Sequence, residues 1–162
     1  MYLFNKTINK LLKTNVTVAT AESCTGGLLS YSFIKNKGVS KIFKNGLICY
    51  SNTSKIQFLK IKKNTLKKYG AVSHETSKEM TENLSKISGC NLSITTTGIA
   101  GPTGNSKNKS IGLVYIGIKY MKKIKIFKKN FKGSRIQIQK KNSKFYFQTN
   151  SRFNLEFDLL FA

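Results

Sequence analysis

The stretch AESCTGG, residues 21–27, decides the fold of this 162-residue chain. In front of it lie residues 16–20, VTVAT, which are β-branched and mostly apolar and therefore typical of a buried strand. Behind it lie residues 28–34, LLSYSFI, whose apolar side chains recur at helical spacing. The stretch itself holds small polar side chains followed by two glycines. It therefore predicts a tight corner at which a strand gives way to a helix.

On both sides of this corner the chain alternates between helical and strand patterns. Helices are predicted at about 3–13 and 25–36, and short helical segments are predicted through Leu59 and Leu66. A further helix is predicted after Ser73, which could cap it, with Met80, Leu84 and Ile87 on one face. The predicted strands lie at 16–20, 47–50 and 92–97, followed by a strand pair at 112–119 and 124–131. This alternation predicts an α/β layer structure with a mixed, mostly parallel sheet and an antiparallel hairpin at its edge.

Length and composition narrow the class of protein further. A chain of this length with 40% hydrophobic residues is long enough for one domain with a real core. The sequence has no apolar run of about 18 residues and no secretory signal pattern, so we expect no membrane partner. The three cysteines, Cys24, Cys49 and Cys90, are odd in number and widely spaced, which suits a reduced, cytoplasmic protein better than a disulfide framework or a zinc site.

The formal net charge of +23 raises the alternative of a basic nucleic-acid-binding module. Only Arg135 and Arg152 of the 29 basic residues are arginines, and arginine is the residue that reads guanines and stacks on bases. The lysines are spread along the whole chain. We therefore interpret the charge as a broad basic surface that attracts anionic metabolites, and we regard a nucleic-acid partner as the weaker hypothesis.

Few groups in the chain could carry acid–base chemistry. His74 is the only histidine, and it follows the predicted cap Ser73 of a helix. The chain has only six carboxylates, so a metal site lacks the ligands it would need. Cys24 has no histidine partner that would activate it as a nucleophile. If the chain is a hydrolase, its general base is therefore a lysine.

Three polar or glycine-containing loops follow three of the predicted strands. They are AESCTGG, then YSNTSK at residues 50–55, then TGIAGPTG at residues 97–104. The carboxyl ends of strands in an open α/β sheet form the edge at which ligands bind. The three loops are therefore expected to converge on one cleft.

These loops carry a resemblance to a known family. AESCTGG, GVSKIF (38–43), YSNTSK, YGAVSHET (69–76) and TGIAGPTG occur in this order and resemble the CinA C-terminal domain family of bacterial nicotinamide-nucleotide amidases over roughly residues 4–135. The resemblance implies a three-layer α/β/α domain. It also implies hydrolysis of the carboxamide of nicotinamide mononucleotide to nicotinate mononucleotide and ammonia, as part of pyridine nucleotide recycling. It implies no metal or other cofactor, a small-molecule nucleotide substrate and a homodimer.

The resemblance also implies a set of active-site positions and a Ser/Lys dyad. The matching positions are Ser23, Ser40, Tyr50, Lys55, Thr97 and Arg135. Lys55 is the expected base, with a pKa lowered by burial or by nearby positive charge, which so basic a chain would supply. Ser23 and Ser40 compete as nucleophile. We favour Ser40, because it precedes the strand that leads to Tyr50 and Lys55, and we expect Tyr50 to orient the dyad or relay a proton.

A second set of residues is predicted to bind the substrate. They are Thr25, Gly26, Gly27, Thr97, Gly98, Gly101 and Arg135. Thr25 and the two glycine amides at the helix start are expected to hold the substrate and its phosphate. Thr97 and the loop amides after it are expected to polarise the carbonyl, and Arg135 to clamp a phosphate or carboxylate.

The chain departs from the family pattern in its last third. Asn105 follows Gly104 where the family has a second glycine, Ser110 replaces a proline, and Ser134 replaces an aspartate. Beyond Arg135 a Lys-, Asn- and Phe-rich tail stands where the family has a helix, and residues 153–161 alternate with a strand period. We therefore divide the chain into an amidase domain at 1–135 and a divergent tail at 136–162, and keep an inactive family member as a further alternative.

Overall fold

Five strands form one mixed sheet at the centre of the structure. A computed structural model describes residues 2–152, with side chains described for residues 5–148. The strands are β1 Val18–Glu22, β2 Phe43–Ile48, β3 Leu92–Gly98, β4 Leu113–Tyr120 and β5 Lys123–Asn130, in the spatial order β2-β1-β3-β4-β5. Strand β1 pairs in parallel with β2 and β3, whereas β4 is antiparallel to β3 and β5. The predicted sheet with an antiparallel hairpin at its edge is confirmed.

Helices cover both faces of this sheet. Within residues 2–152 they are α1 Tyr2–Lys13, α2 Leu28–Ile34, α3 Asn52–Leu59, α4 Lys63–Tyr69, α5 His74–Ser88 and α6 Arg135–Arg152. Apolar side chains of α1, α2 and α6 form a core with one face of the sheet, and those of α3, α4 and α5 form a core with the other. The three-layer α/β/α single domain is thereby confirmed. None of these described helices is long and apolar enough to cross a membrane.

Strand β1 lies between two neighbours and is buried along its whole length. Its side chains alternate between faces, so Val18 packs in the core with α1 and α2, while Ala19 and Ala21 pack in the core with α3 and α5. At its carboxyl end Glu22 pairs with Ile48 of β2 and Thr96 of β3. The loops that follow these three strands therefore start at one edge of the sheet, as the sequence predicts.

The first helix after the corner begins later than predicted. Helix α2 begins at Leu28 rather than near residue 25, because residues 23–27 form the turn itself. Gly26 and Gly27 have φ values of +59° and +100°, in a region that strains any residue with a side chain. The two glycines therefore allow the tight corner between β1 and α2.

The segment after Arg135 corrects the predicted division of the chain. The sequence predicts a loop or exposed helix there and a separate tail from residue 136. Instead, α6 buries Ile138, Tyr146 and Phe147, and the rings of Tyr146 and Phe147 lie 5.9 and 5.0 Å from the ring of Phe33. The part of α6 from Ile138 to Phe147 thus packs in the same domain as the sheet. The strand pattern predicted at residues 153–161 lies outside the described residues.

Two isoleucines of α6 test this packing as a matched pair. Ile138 is 1% exposed and Ile136 is 61% exposed. We expect Ile138→Ala to lower the free energy of unfolding by about 2–5 kcal/mol, because it leaves a cavity in the core. The control Ile136→Ala should change it by less than about 0.5 kcal/mol. Urea denaturation measures both values. Equal effects would show that α6 is not packed as described.

Candidate active site

A cleft of about 310 Å³ opens at the carboxyl edge of β1, β2 and β3. Of the predicted site residues, those that line it are Ser23, Tyr50, Lys55, Thr97, Gly98, Gly101 and Arg135. The three predicted loops therefore converge on one cavity. Its volume is at the lower end of the range typical of small-molecule sites.

A buried lysine forms the floor of this cleft. Ser51 caps α3 and forms a capping box with Ser54, so Lys55 lies in the first turn of the helix and reaches back under the cleft. Its side chain is 1% exposed. The Lys55 Nζ lies 3.0 Å from the Ser23 Oγ, 2.8 Å from the Cys49 carbonyl oxygen and 3.2 Å from the Tyr50 carbonyl oxygen. The amine is thus in direct contact with one of the two candidate nucleophiles.

The surroundings of Lys55 favour its uncharged form. Burial lowers its pKa from the ordinary lysine value, and Cys49 and Cys24 would oppose this shift, in part, only as thiolates. Positive charge from neighbouring lysines is not among the causes, so the expectation that the basic composition would shift this pKa is corrected. A neutral amine has two N–H donors and one lone pair. Two carbonyl oxygens and one hydroxyl are the partners that such an amine needs.

A fully buried carboxylate, Glu22, holds the corner next to Ser23. Its Oε2 accepts the backbone N–H groups of Gly27 and Leu29, each at 3.0 Å. Its Oε1 accepts the backbone N–H of Ser30 at 2.7 Å and the Ser30 hydroxyl at 2.5 Å. Glu22 therefore occupies the N-terminus of α2 and satisfies donors that this helix would otherwise leave unpaired.

This arrangement corrects the predicted role of the corner in binding phosphate. The Gly27 N–H is bound to Glu22, and the Gly26 N–H donates to the Ser23 carbonyl oxygen at 3.2 Å. Thr25 is 1% exposed, and its hydroxyl shares a 2.8 Å hydrogen bond with the hydroxyl of Thr96. Thr25, Gly26 and Gly27 thus shape the corner and do not line the cleft. In contrast, the backbone N–H of Thr25 has no acceptor among the described residues, and that of Cys24 has none there except its own thiol.

The structure does not bring Ser40 and Lys55 together. Ser40 is exposed and lies in a short 3₁₀ turn, Val39–Lys41, that precedes β2, whereas Lys55 lies beyond the carboxyl end of that strand. Each strand residue advances about 3.3 Å, so the 6 residues of β2 place Ser40 roughly 20 Å from the cleft. Proton transfer requires hydrogen-bond range or a single bridging water. Our preference for Ser40 as the partner of Lys55 is therefore corrected in favour of Ser23.

Arg135 joins two loops at the rim of the cleft. Its Nη1 donates to the Gly101 carbonyl oxygen at 2.6 Å, and its Nη2 donates to the Tyr50 hydroxyl at 3.0 Å. The Tyr50 side chain is 61% exposed and pairs with Arg135, while the backbone carbonyl of Tyr50 contacts the Lys55 amine. Tyr50 therefore orients the lysine through its main chain. The predicted proton relay through its hydroxyl has no contact with Ser23 or Lys55 to support it.

Thr97 and Cys24 have structural partners inside the cleft. The Thr97 hydroxyl donates to the Ala71 carbonyl oxygen at 2.8 Å and so ties the loop before α5 to the end of β3. Burial raises the pKa of the Cys24 thiol to about 12, although hydrogen bonds, including one from Asn142 at 3.3 Å, and the Lys55 charge oppose the shift. The thiol therefore stays protonated, and we do not regard it as a nucleophile.

Sequence reasoning missed two kinds of contributor to the site. The Cys49 carbonyl acts through the main chain, which residue types do not reveal. The role of Glu22 could have been predicted from the sequence. Glu22 is the only acidic residue before Glu75, and it lies just before a predicted helix start, where a carboxylate is favourable. Gln139 of α6, which donates to the Cys24 carbonyl oxygen at 2.9 Å, lies in the segment that we set apart as a tail.

The described part of the chain contains no cluster of side chains that could bind a metal ion. Across residues 2–152, no three His, Cys, Asp or Glu side chains come close enough together to hold a metal ion. The single histidine, His74, is exposed at the start of α5.

Comparisons with known proteins agree with the observed fold. The family model described as CinA C-terminal domain matches residues 2–152. A competence-damage inducible protein of Clostridium novyi is 54% identical over 67% of this chain and 26% of the relative, and one of Clostridium botulinum strain Loch Maree is 51% identical over 78% of this chain and 31% of the relative. The chain thus spans less than a third of the length of these relatives.

Solved structures share the same fold. The competence/damage inducible protein CihA from Agrobacterium tumefaciens superposes with a TM-score of 0.88 at 29% identity and covers 94% of both chains. The competence damage-inducible protein A from Klebsiella pneumoniae superposes with a TM-score of 0.88 at 23% identity over 93% of this chain and 94% of that chain. The second match supports the fold alone.

The contacts of Glu22 lead to a stability prediction. Glu22→Gln places an amide NH₂ against backbone N–H donors, so we expect the free energy of unfolding to fall by at least about 2 kcal/mol. The control Glu75→Gln removes an exposed carboxylate from the first turn of α5 and should cost about 0.3–1 kcal/mol. Urea denaturation at neutral pH measures both. A cost for Glu22→Gln no larger than that of the control would contradict the assigned role.

Proposed function

The chain belongs to the CinA C-terminal domain family, and we propose that it is a nicotinamide-nucleotide amidase. In this proposal it hydrolyses the carboxamide of nicotinamide mononucleotide and releases nicotinate mononucleotide and ammonia. The observation that carries the proposal is the 3.0 Å contact between the buried Lys55 amine and the Ser23 hydroxyl at the floor of the cleft. Amide hydrolysis needs a nucleophile with an adjacent base, and this pair supplies both.

The proposed reaction begins with the neutral Lys55 amine. The amine accepts the Ser23 hydroxyl proton while the Ser23 Oγ attacks the carboxamide carbon and forms a tetrahedral intermediate. The intermediate collapses to an acyl-serine, and protonated Lys55 returns the proton to the departing nitrogen, which leaves as ammonia. A water molecule then attacks the acyl-serine with Lys55 again as base, and Ser23 is released with nicotinate mononucleotide as product.

A main-chain amide at the corner is suited to stabilise the intermediate. The N–H of Cys24 follows the nucleophile directly, and apart from its own thiol it has no acceptor among the described residues. In hydrolases with a nucleophile on a strand-to-helix turn, the N–H after the nucleophile contributes to the oxyanion hole. We assign the same role to the Cys24 N–H. Removing one such donor typically costs about 100- to 1000-fold in turnover.

The rim contacts define the other end of the cleft. The guanidinium of Arg135 uses one N–H on the Gly101 carbonyl and one on the Tyr50 hydroxyl, so three of its five donors remain for a polar group of the substrate. Thr97 lines the same cleft with its hydroxyl turned to Ala71. We therefore propose that Arg135 forms one wall of the cleft beside the substrate. We also propose that the Thr97 side chain contacts the substrate.

Separate serine variants test which hydroxyl reacts. We expect Ser23→Ala to reduce ammonia release from nicotinamide mononucleotide by at least about 1000-fold, because the nucleophile is removed. Ser40→Ala should retain activity within about twofold, because Ser40 is exposed at the opposite end of β2. Loss of turnover in Ser40→Ala alone would reverse this assignment. No ammonia from the wild-type chain at high concentration would favour an inactive family member.

Lys55 leads to a prediction about pH. Its pKa in the folded chain is below the ordinary lysine value of 10.5, so kcat/KM should rise with pH through that lowered pKa and level off before 10.5. Lys55→Met should lose at least about 1000-fold in kcat/KM, whereas the exposed control Lys67→Met should keep the wild-type profile. A wild-type profile without an ascending limb would contradict the role of Lys55 as a base.

The same lowered pKa affects stability. Between the folded and unfolded pKa values the unfolded chain binds more protons at Lys55, so the free energy of unfolding should rise with pH across that window. Lys55→Met lacks this contribution. We therefore expect the wild type minus Lys55→Met difference in unfolding free energy to increase as pH rises toward 10.5, as measured by urea denaturation at several pH values.

A further inference from the structure

The proposed substrate carries a phosphate, and the cleft needs a group to bind it. The N-terminus of α2, which the sequence suggests for this purpose, is filled by the carboxylate of Glu22. Arg135 has two of its N–H groups bound to Gly101 and Tyr50 at the rim. Lys55 lies at the floor beside the reacting serine. Arg135 keeps three N–H groups for the substrate, and a second cation near the mouth of the cleft could share a phosphate with it.

Lys109 is a cation beside the segment that leads into one wall of the cleft. It lies in the loop between β3 and β4, where the backbone of Ser106 and Lys109 exchanges two hydrogen bonds of 2.9 and 3.1 Å. Its side chain is half-buried, and its Nζ donates to the Tyr69 carbonyl oxygen at 2.8 Å. The same nitrogen lies 3.0 Å from the point where a Cβ on Gly70 would stand.

This ammonium group is connected along the chain to two segments that line the cleft. Ala71 and Val72 directly follow Gly70 and line the cleft from one side. Thr103 and Gly104, which belong to the same loop as Lys109, line it from the other side. The ammonium group has three N–H donors, and the Tyr69 carbonyl takes one of them. Two donors and a full positive charge remain for an anion at the mouth.

We propose that Lys109 binds the phosphate of the substrate and so determines the preference for a nucleotide over the corresponding nucleoside. This inference rests on the proposed amidase function. A carboxamide at Ser23 and a phosphate near Lys109 would place the substrate along the cleft, from its floor to its mouth. Tyr69 ends α4 two residues before Ala71, whose carbonyl oxygen accepts the Thr97 hydroxyl, so the phosphate contact and the reactive end are supported by one connected piece of structure.

Two substrates and three variants test this assignment. Ammonia release is measured for nicotinamide mononucleotide and nicotinamide riboside, which differ only in the phosphate. We expect Lys109→Met to lower kcat/KM for the nucleotide by about 10- to 100-fold, mainly through KM, because one charged contact to phosphate is lost. Its kcat/KM for the riboside should stay within about twofold. Lys109→Arg should restore much of the preference, and the exposed control Lys107→Met should keep all of it.

The ratio of the two kcat/KM values decides the outcome. A purely structural role for Lys109, as a tether between its loop and Tyr69, would lower activity toward both substrates equally and would overturn the proposal. An unchanged ratio would overturn it as well. If the wild type releases no ammonia from either compound, the amidase function fails. The nucleotide-to-riboside ratio of binding constants, measured by calorimetry on the same variants, then decides the role of Lys109.

Discussion

The buried carboxylate of Glu22 is the constraint on which the geometry of the cleft depends. A carboxylate with no exposed surface is costly unless hydrogen bonds compensate it, and four donors from Gly27, Leu29 and Ser30 do so here. These bonds attach the end of β1 to the start of α2. The chain between them must turn tightly, and Ser23 is held at the inner side of that turn. The position of the candidate nucleophile is thus a consequence of capping one helix.

The same carboxylate leaves the chemistry of Lys55 undisturbed. Glu22 lies close to Ser23 in sequence, yet it is not among the groups that shift the pKa of Lys55. A carboxylate paired with the lysine would favour the ammonium form and remove the base. The oxygens of Glu22 are occupied by donors at the start of α2, and the amine is bonded instead to neutral oxygens of Ser23, Cys49 and Tyr50. Burial can then lower its pKa, and no neighbouring cation is required.

The sequence predicts the corner, the three converging loops and the layered fold, because each rests on local periodicity or on the common direction of parallel strands. It misplaces Ser40 because nearness along the chain was taken for nearness in space, although β2 separates the two ends. It underrates α6 because Asn142 and the lysines hide a face on which Ile138 and Phe145 are buried. Contacts made by main-chain carbonyls, such as that of Cys49, leave no mark in the sequence.

Three kinds of lysine can be distinguished in this basic chain by their surroundings. Most are exposed and contribute a general attraction for anions, which is screened by salt. Lys109 is half-buried, and its amine donates to the Tyr69 carbonyl oxygen. Lys55 is fully buried and favours the neutral form. A net charge of +23 therefore does not describe the site. The proposed chemistry of the site depends on the exclusion of the Lys55 amine from water. The proposed selectivity depends on the position of the Lys109 amine, which stays in contact with water.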